Sequence, residues 1–245
     1  MKFLKEKFLL TTNDTIAQIE KSISINSTKL LTAINVNILH KLTHSIEFKK
    51  TYGLFDFINF DGYYAIIWAK LIYKFREVEQ LSADILLKEI YKYSELKNWS
   101  IYALGGSKDT VDLFASKIHE NYPKTNILGH QHGYFNKEEE KNIINEICTL
   151  HPDILLVGLS VPKEHEWVIA NKDRLNAKII ITCGGYIQQT SAEGISYYPG
   201  DWIYRMHINW IYRIIKDPMR LFGRYLIQGI WFLYWLPKQY LKYKY

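Results

Sequence analysis

The 245-residue sequence predicts an α/β protein: a parallel sheet flanked by helices, followed by a helical, basic and aromatic C-terminal appendage. Three observations carry this. From residue 100 onward, short apolar runs alternate with helix-length segments, a spacing that requires crossover connections and a parallel sheet. Residues 154–159 are apolar without alternation, interrupted only by Gly158, as in a strand covered by helices on both faces. The positive charge is segregated: residues 202–245 hold eight Lys and Arg against Asp217 alone, which exceeds the net charge of +6 of the whole chain.

In order, residues 8–10 suggest a short strand, and Thr12-Asn13-Asp14 offers capping groups for a helix to about residue 22. KLLTAI at 29–34 is a strand. Asn35 follows it and opens a helical pattern through about residue 48. FDFINF at 55–60 is a second strand that runs into Asp61-Gly62, and a helix follows from 63 to about 75. Residues 84–97 are amphipathic and helical. The regular series then begins: a strand at 101–104 ending in Gly105-Gly106-Ser107, a helix at 109–121, and a short strand at 126–128 ending in Gly129. A helix at 137–150 is capped by Asn136, with Glu138, Glu139 and Glu140 favourable in its first turn. After the strand at 154–159, Ser160 as cap and Pro162 in the first turn open a helix to about residue 174. A last strand, 178–182, ends in Cys183-Gly184-Gly185.

Hydrophobic content of 48% and charged content of 23% are globular values, enough for one large or two small domains. The division expected is a core over 1–200, with an internal boundary near 98, and an appendage over 201–245. Cys148 and Cys183 are too few for a disulfide framework or a zinc site and fit a reduced cytosolic protein. The start, MKFLKEKFLL, breaks its apolar residues with charges before a signal-peptide core can form. No run reaches the ~18–20 apolar residues of a spanning helix.

Gly105-Gly106, Gly129, Gly158 and Gly184-Gly185 each end a predicted strand. In an open parallel sheet those ends share one edge, where ligands bind and where glycine admits a close approach to the backbone. A strand turning into a helix, as at Gly158 to Pro162, also offers free N–H groups to phosphate. Any one of these glycines is equally a tight turn. Neither standard phosphate fingerprint is present. Four on one edge point to a nucleotide crevice.

Asp61 closes a strand between apolar residues, a setting that partly desolvates a carboxylate, raises its pKa and suits it to general-base work. Spacing alone favours the plainer reading, a turn Asp in an Asp-Gly corner. Asn35 either orients a sugar hydroxyl or caps the next helix. His130, His132 and His151 have no Cys or carboxylate at matching spacing, so a metal site is not expected. In the tail, Trp202, Tyr204, Trp210, Tyr212, Trp231, Tyr234, Trp235 and Tyr240 mix with the cations. That mixture suits a lipid interface or single-stranded nucleic acid. The apolar run at 230–236 favours lipid, whereas residues 202–218 read better as a helical pair packed on the sheet.

Six segments, in this order and spacing, resemble the WecG/TagA/CpsF glycosyltransferases (glycosyltransferase family 26): FINFDGYYAIIWAK (57–70), IYALGG (101–106), ILGHQHGYF (127–135), PDILLVGLSVPKEHEW (152–167), ITCGG (181–185) and NWIYRIIKDPMRLFGRY (209–225). The resemblance implies a Rossmann-like core with a membrane-touching appendage that completes the active site. It further implies inverting, metal-independent transfer of N-acetylmannosamine or a related sugar from a UDP-sugar to a polyprenyl-diphosphate-linked sugar, at the inner face of the membrane. No cofactor or metal and no nucleic-acid partner would be needed. The enzyme would be cytoplasmic, attached peripherally through residues 202–245, and could form an oligomer.

Carried over by residue, Asp61 matches the family's proposed base and Asn35 the Asn of its Thr-x-Asn motif. Tyr134 matches the Tyr near the nucleotide. Arg213, Arg220 and Arg224 match arginines that meet the acceptor diphosphate. The UDP-sugar would lie across Gly105, Gly106, Tyr134, Gly158, Pro162, Glu164, Gly184, Gly185 and Gln188. Several positions depart from the family pattern. Ala33 replaces the Thr of Thr-x-Asn, and Pro162-Lys163-Glu164-His165 replaces Pro-x-Gln-Glu. Gln188 stands for an Asp, and Tyr197-Tyr198-Pro199 for Arg-Ala-Pro. A negative Glu164 would repel the UDP diphosphate unless neutralised or turned away. These departures leave open a member that binds nucleotide-sugar or lipid without catalysis.

Overall fold

Six strands among the described residues form one wholly parallel sheet: β1 (Lys29–Ile34), β2 (Phe57–Phe60), β3 (Ser100–Gly105), β4 (Asn126–Gln131), β5 (Ile154–Gly158) and β6 (Ile179–Thr182), in the order β2-β1-β6-β5-β3-β4. The computed structural model describes residues 1–25, 27–195, 200, 202–206, 208–216 and 218–244; for residues 2, 204, 205, 209, 220, 224 and 244 it describes the backbone alone. β1 pairs with β6 (Leu31 with Ile181), so strands from both sides of residue 98 belong to one sheet. The β5 side chains divide between two cores: Ile154 and Leu156 face one side, Leu155 and Val157 the other. That is why its sequence is apolar at every position.

Helices α1 (Thr12–Ser24), α5 (Ala83–Lys97) and α6 (Lys108–Asn121) cover the first face through Ile19, Ile90 and Phe114. Helices α7 (Lys137–Leu150) and α8 (Lys163–Asn171) cover the second through Ile144, Ile147 and Val168. Asn136 and Glu139 close a reciprocal capping box on α7, satisfying N–H groups that the helix leaves without partners. A third core gathers α2 (Val36–His44), α3 (Ile46–Tyr52) and α4 (Tyr63–Tyr73) around β2 and the tail.

Three local expectations are corrected. The helix after Asn35 breaks at Ser45, whose hydroxyl accepts from Phe48 N and starts α3. The strand at 8–10 reduces to one bridge, Phe8 to Ile58, beside a 3-10 turn over Lys2–Lys7. Ser160 does not cap α8: it sits at φ 65°, its carbonyl accepts from Glu164 N, and Pro162 occupies the cap position without a side-chain bond.

After β6 come α9 (Tyr186–Glu193), α10 (Trp202–Arg205), α11 (Asn209–Lys216) and the 27-residue α12 (Pro218–Lys244). α12 docks back on α2 and α4. Gln228 donates to Asn37 at 2.9 Å, Trp231 packs edge-on to His40, and Phe232 packs on Tyr64. Gly229 permits the approach, since a Cβ there would lie 3.2 Å from the Tyr64 hydroxyl. Among the described residues no helix is long and apolar enough to cross a membrane.

Candidate active site

A cleft of about 930 Å³ opens at the carboxyl ends of β2, β1 and β6, walled by the starts of α5 and α8 and closed over by α11 and α12. Asn35 and Asp61, the residues that follow β1 and β2, meet in it. Asn35 Oδ1 accepts from Ile38 N at 3.0 Å and so caps α2. That fixes the amide's orientation, and its Nδ2 donates to Asp61 Oδ2 at 3.1 Å. Of the two roles open to Asn35 from sequence, the helix cap is the one observed; its amide N–H, free in that reading to meet a sugar, donates to the carboxylate instead. Asp61 N donates to Ile34 O, which pins the strand ends side by side.

Sequence reading missed a further cleft carboxylate, Asp84, at the start of α5. Burial pushes its carboxyl above the usual carboxylate range. The charge of Asp61 adds to the rise, while Ser82 and Arg213 oppose it. Only its place at the head of an amphipathic helix was visible in the chain. Its burial depends on residues far away in sequence.

Glu164 and His165 line the cleft floor and are almost fully buried. Glu164 Oε2 accepts from Gly184 N at 2.9 Å. Burial pushes its pKa up to about 8, against the pull of that N–H. Burial also drives His165 down to about 3. The 3.7 Å contact between Glu164 Oε1 and His165 Nδ1 is thus one between neutral groups at neutral pH, not an ion pair. On its other side, His165 Nε2 meets Thr32 Oγ1 at 3.0 Å, and Thr32 accepts from Thr182. Glu164 is therefore both neutralised and turned toward the Gly184 backbone.

The expected donor residues divide into two groups. Glu164, Gly184, Gly185 and Gln188 line the cleft, whereas Gly105, Gly106, Tyr134, Gly158 and Pro162 do not. The glycines nevertheless form a continuous row. A Cβ on Gly105, whose φ is +155°, would lie 2.5 Å from Gly158 O, and one on Gly158 would lie 3.0 Å from Gly184 O. Gly133 N donates to Gly106 O beyond them. Tyr134, 76% exposed, stands past the far end of this row.

Arg213 and Lys216 of α11 reach the cleft, and Lys216 also bonds Glu193. Arg220 and Arg224 fall on α12 with side chains outside the described residues, and Tyr197, Tyr198 and Pro199 lie outside them altogether. The face of α12 turned from its docking contacts exposes Leu226, Ile227, Ile230, Leu233 and Tyr234. Among the described residues no three His, Cys, Asp or Glu converge as metal ligands, and His130 pairs instead with Asp112. Burial holds the Cys183 thiol far above its usual range.

A profile for the glycosyl transferase WecG/TagA/CpsF family matches residues 4–245. Among curated proteins, the chain is 30% identical over 194 residues to a UDP-Gal:alpha-D-GlcNAc-diphosphoundecaprenol beta-1,4-galactosyltransferase of Shigella boydii, which covers 77% of each chain. It is 25% identical over 137 residues to an N-acetylglucosaminyldiphosphoundecaprenol N-acetyl-beta-D-mannosaminyltransferase of Staphylococcus aureus, which covers 56% of this chain and 52% of that protein, about half its length.

Proposed function

The chain belongs to the WecG/TagA/CpsF family of glycosyl transferases, and from that premise we propose that it moves a hexose or N-acetylhexosamine from a UDP-sugar to a polyprenyl-diphosphate-linked sugar, with inversion. The observation that carries this reading is the Asn35–Asp61 pair, set in a cleft that also holds the Gly184-Gly185 turn and the appendage cation Arg213. Both relatives' names give a diphosphoundecaprenol-linked N-acetylglucosamine acceptor and a β-linked product. An α-linked donor reaches a β product by one in-line displacement.

In this reading the UDP lies along the glycine row toward Tyr134, with its sugar over the cleft. Asp61 takes the proton of the acceptor hydroxyl as that oxygen attacks the anomeric carbon, and the bond from that carbon to the UDP oxygen breaks. Asn35 holds the Asp61 carboxylate in line. Arg213, with Arg220 and Arg224 following on α12, meets diphosphate charge, for which guanidinium is well matched, without calling on a metal. A neutral Glu164 leaves the donor diphosphate unopposed. The exposed apolar face of α12 and the tail's positive charge would seat the protein on the anionic inner surface of the membrane, where such an acceptor lies.

A second reading, binding without catalysis, is favoured by one observation: Ala33, Glu164, His165 and Gln188, which depart from the family pattern, all line the cleft. Labelled transfer from a panel of UDP-sugars to N-acetylglucosaminyl-diphosphopolyprenol separates the two. The transferase reading expects a labelled disaccharide lipid from at least one donor. UDP-sugar binding with no transfer from any donor would establish the second reading instead.

A further inference from the structure

Asp84 lines the cleft yet is only 4% exposed, and its Oδ1 has no hydrogen-bond partner among the described residues. A buried carboxyl oxygen without a donor is costly, and native folds keep such groups where something else completes them. The groups around Asp84 indicate where that would be. It feels the charge of Asp61 from the end of β2 and of Arg213 from α11. It acts in turn on the Tyr186 hydroxyl, at the start of α9 directly after Gly184-Gly185. Asp84 thus lines the same cleft as the Asp61 carboxylate and the Gly184-Gly185 turn.

Resting on the transferase reading above, we propose that Asp84 binds a hydroxyl of the transferred sugar and thereby selects the donor. A sugar held between a diphosphate at the glycine turn and a hydroxyl at Asp61 occupies the cleft that Asp84 also lines. A carboxyl group there can accept a hydroxyl proton through Oδ1. A different role is available to any acidic residue in the first turn of a helix, namely stabilising the helix dipole. The two roles predict different behaviour.

The test compares the full-length wild type with Asp84→Asn and Asp84→Ala in transfer from UDP-sugars and from their single-deoxy analogues, alongside calorimetric UDP binding and thermal melting. The expected result is a loss of about 10²-fold in kcat/KM for Asp84→Ala on the preferred donor. UDP affinity stays unchanged, and melting occurs at or above the wild-type temperature. On the deoxy donor that lacks the bound hydroxyl, wild type and variant become equal. A loss of the same size on every donor, or a lowered melting temperature with parallel loss of UDP affinity, would assign Asp84 to the fold and overturn the proposal. Wild type that transfers from no donor would overturn the transferase reading and this proposal together. Wild type that transfers, with variants blind to the hydroxyl pattern, would overturn this proposal alone.

Discussion

Asn35 Nδ2 donates to Asp61 Oδ2 at 3.1 Å, while the same side chain's Oδ1 caps α2. One amide thus ties the first turn of a helix to the carboxylate proposed as base. Asn35→Ser keeps a capping oxygen and loses the donor to Asp61; Asn35→Ala loses both. Asn35→Ser should melt within about 0.5 kcal/mol of wild type, and Asn35→Ala about 1 kcal/mol lower. Both should lose roughly 10- to 100-fold in transfer through misplacement of Asp61. Full activity in Asn35→Ser would remove Asn35 from the catalytic arrangement.

Glu164 makes a pH prediction. Its carboxyl titrates near 8 in the folded protein against 4.5 in the unfolded chain. Between these values the folded state holds a proton that the unfolded state has released, so stability falls as pH rises through this window. His165, held near 3 against 6.5, acts oppositely and cancels the fall between pH 4.5 and 6.5, so the net loss of wild-type stability lies between about 6.5 and 8. Glu164→Gln keeps the shape without the proton. Its stability relative to wild type should climb with pH by about 1.4 kcal/mol per unit within the window. Denaturant titrations at pH 4.5, 6.5 and 8 measure this, and a pH-independent difference would show that Glu164 ionises normally.

The outer face of α12 predicts where membrane binding resides. Ile227, Ile230 and Leu233 are exposed, while Gln228, Phe232 and Trp235 are buried against the core. Replacing the three exposed residues with Glu should leave stability within about 0.5 kcal/mol and abolish co-sedimentation with phosphatidylglycerol vesicles. Undiminished sedimentation of that triple variant would place the lipid contact elsewhere.

Much of the scaffold was legible because it rests on local signals. β1 occupies the predicted residues 29–34, and α7 the predicted 137–150 with its Asn136 cap. The apolar run of β5 carried the two-sided burial directly. Errors arose where distant neighbours override local pattern. Ser160 looks like a cap, yet its backbone is left-handed and the helix starts three residues later. Ser45 sits inside a continuous helical pattern and still divides it, because its hydroxyl offers Phe48 N a competing partner. The Asn35–Asp61 contact joins residues 26 apart and needed the parallel pairing of β1 with β2 to become visible. Asp84 was legible only as the head of an amphipathic helix, not as a cleft residue, since its environment comes from residues at β2, α9 and α11. Gly105, Gly158 and Gly184 were found at the sheet edge, though their contact in a row follows from strand order alone, whereas Gly129, expected to end its strand, lies inside β4 beside Tyr102.

The most direct measurement is sugar transfer by Asp61→Asn, made together with UDP-sugar binding by the same preparation. Asn keeps the side chain's shape and can still bond Asn35, but it cannot take the acceptor proton. The transferase reading predicts unchanged UDP-sugar affinity and a fall in turnover of at least about 10²-fold. Turnover equal to wild type, with binding intact, would contradict it.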